Sequence, residues 1–315
     1  MDKKLLSIIC PVYNEQDNIK MFYERIQKVK EPLNDRYEFE IIFTNNRSTD
    51  NSYNIICDLH RLDKCVQLLT FSRNFGYQAS ILGGLLYASG DASVVIDVDC
   101  EDPPELIWQF IKKWEEGYDV VYGIRKKRQE SEVIQWMRNL FYWILHRFGD
   151  YEVVMNMAEF SLITRNVRRE ILNNKSTFPF LRTEIGYSGF RRIGIDYVRQ
   201  SRRHGKTHYN FLGMAAFAIG GILSSSTFFL RLSAFIGMFL LPANLILLFL
   251  DLTEKYSRAF EILVTLDLIY LVFFMAVLSI YSARIYKDGV QRPIFIVDWK
   301  YSFLENSPQL ENYHE

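Results

Sequence analysis

Ser93-Val94-Val95-Ile96-Asp97-Val98-Asp99 is an apolar run that ends in two carboxylates one residue apart. The run reads as a buried strand, so both acids stand where the chain leaves its carboxyl end. Two carboxylates at i and i+2 in that place can share a divalent cation with a diphosphate. Hard oxygen ligands suit Mg²⁺ or Mn²⁺, which keep positions open for phosphate oxygens. A solvated turn is the plain alternative, and the pair alone does not decide between them.

The segments on either side supply the context. Leu5–Cys10 reads as a strand ending at Pro11, and Asp17–Lys30 has helical spacing through Ile19, Phe22, Tyr23 and Ile26. Phe39–Phe43 is a second strand, followed by the polar turn Asn45-Asn46-Arg47-Ser48-Thr49-Asp50. A helix over Ser52–Leu62, a strand over Val66–Phe71 and a helix over Gln78–Ala88 come next. Beyond the acidic pair, Pro103-Pro104 open a helix over Glu105–Glu116, and Val120-Val121-Tyr122 is another strand. Strands alternating with helices predict an α/β fold with a mostly parallel sheet. Ligands of such sheets bind at the carboxyl ends of the strands, so the turns after Cys10, Phe43, Phe71 and Ile96 should share one edge.

The chain has 315 residues, with 37 Lys+Arg against 37 Asp+Glu. Zero formal net charge disfavours a strongly basic nucleic-acid binder. A hydrophobic share of 49% with 23% charged residues excludes a disordered chain. No G-x-G-x-x-G follows a strand, which disfavours a nicotinamide dehydrogenase. Cys10, Cys57, Cys65 and Cys100 form no C-x-x-C and no Cys/His cluster, so neither a zinc site nor a disulfide framework is expected. Leu5–Cys10 is too short for a signal-peptide core, which leaves the first domain in the cytosol.

The mean hydropathy of −0.05 averages two unlike parts. Residues 1–208 are mixed and charged, whereas 209–283 are mostly apolar. After the charged link Arg125–Glu130, Glu132–Phe148 is expected to be a long helix with an aromatic face of Trp136, Phe141 and Tyr142. Phe160-Ser161-Leu162-Ile163 returns to a strand, and a basic stretch follows at Arg191, Arg192, Arg199, Arg202, Arg203 and Lys206. Leu232–Leu250 and Ile262–Ala283 each approach the ~20 apolar residues that a membrane span needs. Pro242 is tolerable in the first span if freed backbone groups are satisfied locally. Asp267, in the second, would cost ~2.5–3.5 kcal/mol if central, so it should sit near the interface or face a partner helix. A buried helical pair of a soluble protein is the alternative. Lys and Arg flank the outer ends of both segments, while the loop Asp251–Glu261 holds only Lys255 and Arg258. The positive-inside rule then puts both ends in the cytoplasm. Tyr209–Thr227 is read as helices lying on the membrane surface, and the polar tail after Trp299 as loosely ordered.

Several short motifs combine with this layout: Pro11-Val12-Tyr13-Asn14-Glu15, Ser72-Arg73-Asn74-Phe75-Gly76, the acidic pair, and Asp102-Pro103-Pro104-Glu105. Ser226–Arg231 before the first span and Arg292-Pro293 after the second extend the pattern. The whole resembles a family-2 inverting glycosyltransferase with the GT-A (Rossmann-like) nucleotide-sugar fold. More narrowly, it resembles the membrane-anchored polyprenyl-phosphate glycosyltransferases of the bactoprenol and dolichol-phosphate type. The resemblance implies a cytosolic catalytic domain over 1–208, interfacial helices over 209–228, two spans within 229–283 and a cytosolic tail over 284–315. It implies an integral protein of the inner (cytoplasmic) membrane with its catalytic domain on the cytoplasmic side.

The resemblance also implies roles. Pro11, Tyr13 and Glu15 would line the nucleoside pocket, with Asn46 contacting the base and Arg73 near the base or phosphates. Asp97 and Asp99 would hold the ribose–diphosphate–metal unit, Asp99 being the better ligand for Mg²⁺ or Mn²⁺. Arg199 and Arg202, with Gly205, Thr207 and His208, match the segment that receives the lipid phosphate, where the planar fork of Arg pairs with phosphate oxygens. The implied reaction moves a hexose from a nucleotide sugar, expected to be a UDP-sugar, to a polyprenyl phosphate such as undecaprenyl phosphate, with inversion. Four residues depart from the family pattern: Asn46 in place of Asp, Glu159 in place of Asp, His208 in place of Lys or Arg, and Tyr77 where a basic residue is common. An acceptor phosphate monoester has a second pKa of ~6 and is already a nucleophile, so Glu159 is expected to orient it rather than to act as a strong base. A processive polysaccharide synthase is disfavoured because Gln135-Trp136-Met137-Arg138-Asn139 lacks the final Trp of Q-x-x-R-W and comes too early. A catalytically weak membrane-tethered binding or scaffold protein is the remaining rival. Asn244, Asp267 and small residues near the spans could serve contacts in a homo-oligomer.

Overall fold

The computed structural model describes residues 3–126, 147, 157–174, 180–200, 226–251 and 257–304. The expected helix over Glu132–Phe148 lies outside them except for Arg147, as does Tyr209–Thr227 except for its last two residues. The chain divides into two compact units.

The first unit comprises Met1–Trp136, Val154–Asn210 and Pro293–Glu315. Its strands are β1 (Lys4–Val12), β2 (Tyr37–Asn45), β3 (Val66–Thr70), β4 (Ala92–Val95), β5 (Val120–Lys126), β6 (Met157–Thr164) and β7 (Arg192–Val198). They form one sheet in the order β3-β2-β1-β4-β6-β5-β7. β1 to β4 are mutually parallel, β6 runs antiparallel to both β4 and β5, and β5 is parallel to β7. The sheet is thus mostly parallel, as expected, with β6 inserted in the opposite direction. β7 falls within what reads as a basic stretch, yet Ile193, Ile195 and Tyr197 alternate with Arg192, Gly194 and Asp196, the period of a half-buried edge strand.

Helices α1 (Ile19–Lys30), α2 (Ser52–Leu62), α3 (Tyr77–Tyr87) and α4 (Ile107–Glu115) connect the parallel strands or precede β5. The short helices α5 (Arg165–Leu172) and α6 (Leu181–Ser188) follow β6. One face of the sheet packs Leu6, Ile8, Ile41, Phe43 and Val94 against α1, α2 and α4; the other packs Ile9, Ile42, Leu69 and Val95 against α3. Burial on both faces accounts for the near-continuous apolar runs in β1, β2 and β3. α3 lies so close to β1 that a Cβ on Gly84 would stand 2.2 Å from Ile9 Cγ2. The four cysteines are unpaired thiols.

The tail after Trp299, expected to be loose, is ordered through Leu304 against the edge strand β3. Leu68 and Phe303 exchange both backbone hydrogen bonds, and Phe295 stacks on Phe71 with ring centroids 4.8 Å apart. An edge strand leaves unpaired N–H and C=O groups, and this segment satisfies them.

The second unit comprises Met137–Val153 and Phe211–Arg292. Its helices α7 (Phe228–Asp251) and α8 (Ser257–Val290) are long and apolar enough to cross a membrane. They run antiparallel: Tyr281 donates to the Ser226 carbonyl, Tyr270 to that of Ser233, and Asn244 to Asp267. Asp267 thus faces a partner helix. Phe239, Leu241, Phe249, Ile269 and Val272 are exposed, which a buried helical pair of a soluble protein would not allow.

Candidate active site

Parallel pairing of β1, β2, β3 and β4 brings their carboxyl ends to one edge, as expected. The turns beyond them are tied together. The Asn14 N–H donates to Ser48 Oγ, the Glu15 N–H to Ser52 Oγ and the Thr49 N–H to Asn14 Oδ1. The Asn46 N–H donates to the Val12 carbonyl and the Ile96 N–H to that of Ile9. Asn14, Arg47 and Cys100 all have positive φ, at 57°, 61° and 58°. Three left-handed non-glycine residues at the ends of β1, β2 and β4 each cost of order 1 kcal/mol, and strain of this kind gathers at functional edges.

Pro11 is buried in β1, Tyr13 is 38% exposed, and Glu15 is half-buried. Asn46 is buried, and its side chain is used in both directions. Oδ1 accepts the Phe75 N–H at 2.8 Å, and Nδ2 donates to Asn74 Oδ1 at 2.9 Å. The Phe75 N–H fixes the amide orientation, so position 46 needs a donor as well as an acceptor. This accounts for Asn where the family pattern has Asp. Arg73 is exposed, with its guanidinium 4.0 Å above the Phe75 ring.

Asp97 and Asp99 are half-buried just past β4. Tyr77, at the start of α3, donates its hydroxyl to Asp97 Oδ1 at 2.7 Å. Burial and then the charges of Asp97, Glu159 and Asp102 push the Tyr77 phenol well up, so it stays a neutral donor. Burial pushes Asp97 up to about 7, with Asp99 and Asp102 adding like charge, against the Tyr77 hydrogen bond and Arg125. Asp99 accepts the Glu101 N–H through Oδ1 at 3.0 Å.

Glu159 projects from β6 and is buried. Its Oε1 lies 2.9 Å from Arg182 Nε and 3.4 Å from Gln78 Nε2. Its Oε2 has no hydrogen-bond partner among the described residues. A buried carboxylate oxygen without a donor is costly and calls for a ligand. Gln78 also accepts the Leu181 N–H through Oε1, so it joins α3, β6 and α6.

The acids after the pair are already matched. Asp102 pairs with Arg125 at 2.8 Å and accepts the Tyr197 hydroxyl, and Arg25 grips Glu105 through two hydrogen bonds. Arg199 pairs with Glu101 and stands 3.7 Å from Asp102, so this structure sets it beside the acidic loop. Arg202, Gly205, Thr207 and His208 lie outside the described residues. In the sequence Tyr77 is only a departure from the family pattern, and Gln78, Arg182, Arg125 and Tyr197 carry no motif. Only the fold brings them to this edge.

No group of three or more His, Cys, Asp or Glu side chains at metal-binding spacing occurs among the described residues. The donor set instead fits a hard cation that arrives with phosphate. Mg²⁺ commonly takes one or two protein carboxylates and fills its other positions with phosphate oxygens and water. Asp97 and Asp99, where burial and like charge disfavour the ionised form of Asp97 until a cation joins it, and the orphan oxygen of Glu159 suit that arrangement.

A sequence profile described as glycosyl transferase family 2 matches residues 7–185. The chain is 33% identical, over 98% of its length and 97% of the relative, to the uncharacterized glycosyltransferase YkcC of Bacillus subtilis strain 168. It is 31% identical, over 93% of its length and 97% of the relative, to a bactoprenol glucosyl transferase of Shigella phage SfV. Among solved structures, glucosyl-3-phosphoglycerate synthase from Mycobacterium tuberculosis superposes with a TM-score of 0.48 at 19% identity, covering 70% of this chain and 79% of that one.

Proposed function

The chain belongs to glycosyl transferase family 2, and from that premise we propose that it moves a hexose from a UDP-sugar to undecaprenyl phosphate with inversion. The observation that carries this reading is the strand-end acidic pair, with Glu159 and its unpartnered oxygen close by, in a chain that also has two membrane-length helices. The bactoprenol relative, aligned over most of both chains, supports the lipid acceptor.

Asp99 and Asp97 would hold Mg²⁺ or Mn²⁺ together with the diphosphate. When bound, the cation supplies electrostatic stabilisation of the leaving diphosphate. Tyr77 holds Asp97 in place through its hydroxyl. Pro11, Tyr13, Glu15, Asn46 and Arg73 line the nucleoside end. Glu159, steadied by Arg182 and Gln78, orients the acceptor phosphate. A phosphate oxygen attacks the anomeric carbon, the bond from that carbon to the diphosphate oxygen breaks, and the nucleoside diphosphate leaves. The acceptor is largely a dianion at neutral pH, its second pKa being ~6, so no strong base is needed. Arg199, Arg202, Thr207 and His208 are assigned to the acceptor phosphate.

The protein is read as an integral protein of the cytoplasmic membrane, with catalytic domain and C-terminus on the cytoplasmic side. Withdrawing a polyprenyl chain from lipid costs ~0.8 kcal/mol per CH₂, so the reaction has to occur at the bilayer surface.

The test is product formation by detergent-purified protein with undecaprenyl phosphate, Mg²⁺ or Mn²⁺ and a panel of UDP- and GDP-sugars. A lipid-linked monosaccharide from one donor, absent with Asp99→Asn, is expected. Donor binding without lipid product would overturn the acceptor assignment. No metal-dependent binding or turnover with any donor would favour the scaffold role.

A further inference from the structure

The segment Pro293–Leu304 does more than cover an edge. Its backbone bonds to β3 and just beyond it: Leu68 with Phe303 in both directions, the Asp298 N–H to the Thr70 carbonyl, and the Ser72 N–H to the Ile296 carbonyl. The last bond anchors the turn that carries Arg73. The Ser302 hydroxyl accepts the Thr70 N–H.

Two contacts reach past the edge strand to the turn after β2. Asp298 Oδ2 lies 2.9 Å from Arg47 Nη1, and the Arg47 guanidinium sits 5.4 Å from the Tyr301 ring centroid. Arg47 directly follows Asn46 and has φ of 61°. A left-handed Arg costs of order 1 kcal/mol and persists where its surroundings hold it. On the other side the turn is held by Asn14 and Asn45, through Thr49 and Ser48. The segment therefore grips two of the four strand-end turns, one carrying Asn46 and the other Arg73. Those two turns are also joined to each other through Asn46, Asn74 and Phe75. Covering the edge of β3 would require neither the ion pair nor the Arg47–Tyr301 contact.

We propose that this segment is a positioning strap for the nucleoside end of the donor site, and that Asp298 acts through Arg47 to hold the turn bearing Asn46. The inference rests on the donor-site reading above. Asp298 and Arg47 touch one another and are positioning residues. Because the Arg47 and Asp298 side chains are 47% and 25% exposed, the pair adds little to overall stability. Its contribution should show in the donor.

The experiment measures binding of UDP and GDP, each with Mg²⁺ and without lipid acceptor, to full-length protein in detergent. Thermal midpoints and steady-state kinetics are measured alongside. For the better-bound nucleotide, Asp298→Asn is expected to weaken binding about fivefold and to raise the donor KM by a similar factor, with kcat and the lipid KM changed by less than about twofold. The thermal midpoint should stay within about 2 °C of the parent, as for a partly exposed pair. Asp298→Glu should recover most of the affinity, and so should the exchanged pair Arg47→Asp with Asp298→Arg. Unchanged nucleotide affinity in Asp298→Asn would overturn the strap's role and leave the donor site standing. So would a loss matched by a fall in thermal midpoint and recovered by neither rescue. If wild-type protein binds neither nucleotide, the donor-site reading fails and the strap inference falls with it.

Discussion

Replacing Asn46 by Asp restores the residue of the family pattern, yet it should damage this protein. Asn46 is 3% exposed. Asp keeps the acceptor for the Phe75 N–H but removes the donor that meets Asn74 Oδ1 at 2.9 Å. Asn74 cannot answer by turning its amide over, because the same Oδ1 accepts the Gly76 N–H at 2.8 Å. Two acceptor oxygens would then face each other. Losing the hydrogen bond costs ~1 kcal/mol and the unmatched acceptors another ~1–2, for a total of about 2–3 kcal/mol. At ~2–4 °C per kcal/mol for a domain of this size, the thermal midpoint should fall by about 5–10 °C. The assay is thermal unfolding in detergent at pH 7.5, followed by tryptophan fluorescence. In an Asn74→Ala background the opposing oxygen is gone, and Asn46→Asp should cost at least ~1 kcal/mol less, a coupling that a double-mutant cycle measures. A midpoint within about 1 °C of the parent, or the same cost in both backgrounds, would refute the argument.

Gly84→Ala drives a methyl into Ile9 and should cost about 1–3 kcal/mol, seen as a lower thermal midpoint; an unchanged midpoint would show that α3 can move away. Burial alone would raise Asp63, but hydrogen bonds from the Cys65 thiol and N–H, the Lys30 charge and the Tyr23 hydroxyl hold it well below the usual carboxylate range. Its contribution is therefore complete above the unfolded carboxylate pKa of ~3.9 and is lost as pH falls through the lower folded value. The stability gap between wild type and Asp63→Asn should hold down to about pH 4 and narrow progressively below it, and a constant gap in acid denaturation would contradict this. On the proposal that Glu159 orients the acceptor, Glu159→Gln should lose activity with no new acid limb in the pH–rate profile; full recovery at high pH would show it to be a base. Tyr77→Phe removes the hydroxyl from Asp97 and should lower kcat/KM with the fold intact, whereas wild-type kinetics would mean Asp97 is held without it.

The parallel half of the sheet could be read from the chain because each of its strands is an apolar run closed by a polar turn. A strand buried on both faces is largely apolar, any buried polar side chain needing a partner as Ser7, Glu40 and Gln67 have in one another, and its exit is polar where it opens on a ligand edge. For the same reason Asp97 and Asp99 stood out at the end of their run. The two membrane-length helices were equally legible, since length and continuous apolarity are properties of local sequence. β7 carries the period-2 signal in Ile193, Ile195 and Tyr197, but Arg191, Arg192 and Arg199 hide it within a basic stretch. Order in the tail was missed because its partner, β3, lies more than two hundred residues away in sequence.

The alternation of strands and helices, the acidic pair at a strand end and the two membrane-length apolar segments are legible in the chain, because each depends on side-chain pattern within a short window. The folded arrangement alone settled that Asn46 must both donate and accept, that Tyr77 serves Asp97, and that Gln78 and Arg182 attend Glu159. It also decided that Arg199 stands beside Glu101 and that Asp298 reaches Arg47. These are pairings between distant segments. Hydrogen-bond and charge complementarity acts over a few ångströms of space, and the distance between two side chains in space is set by packing, not by their separation along the chain.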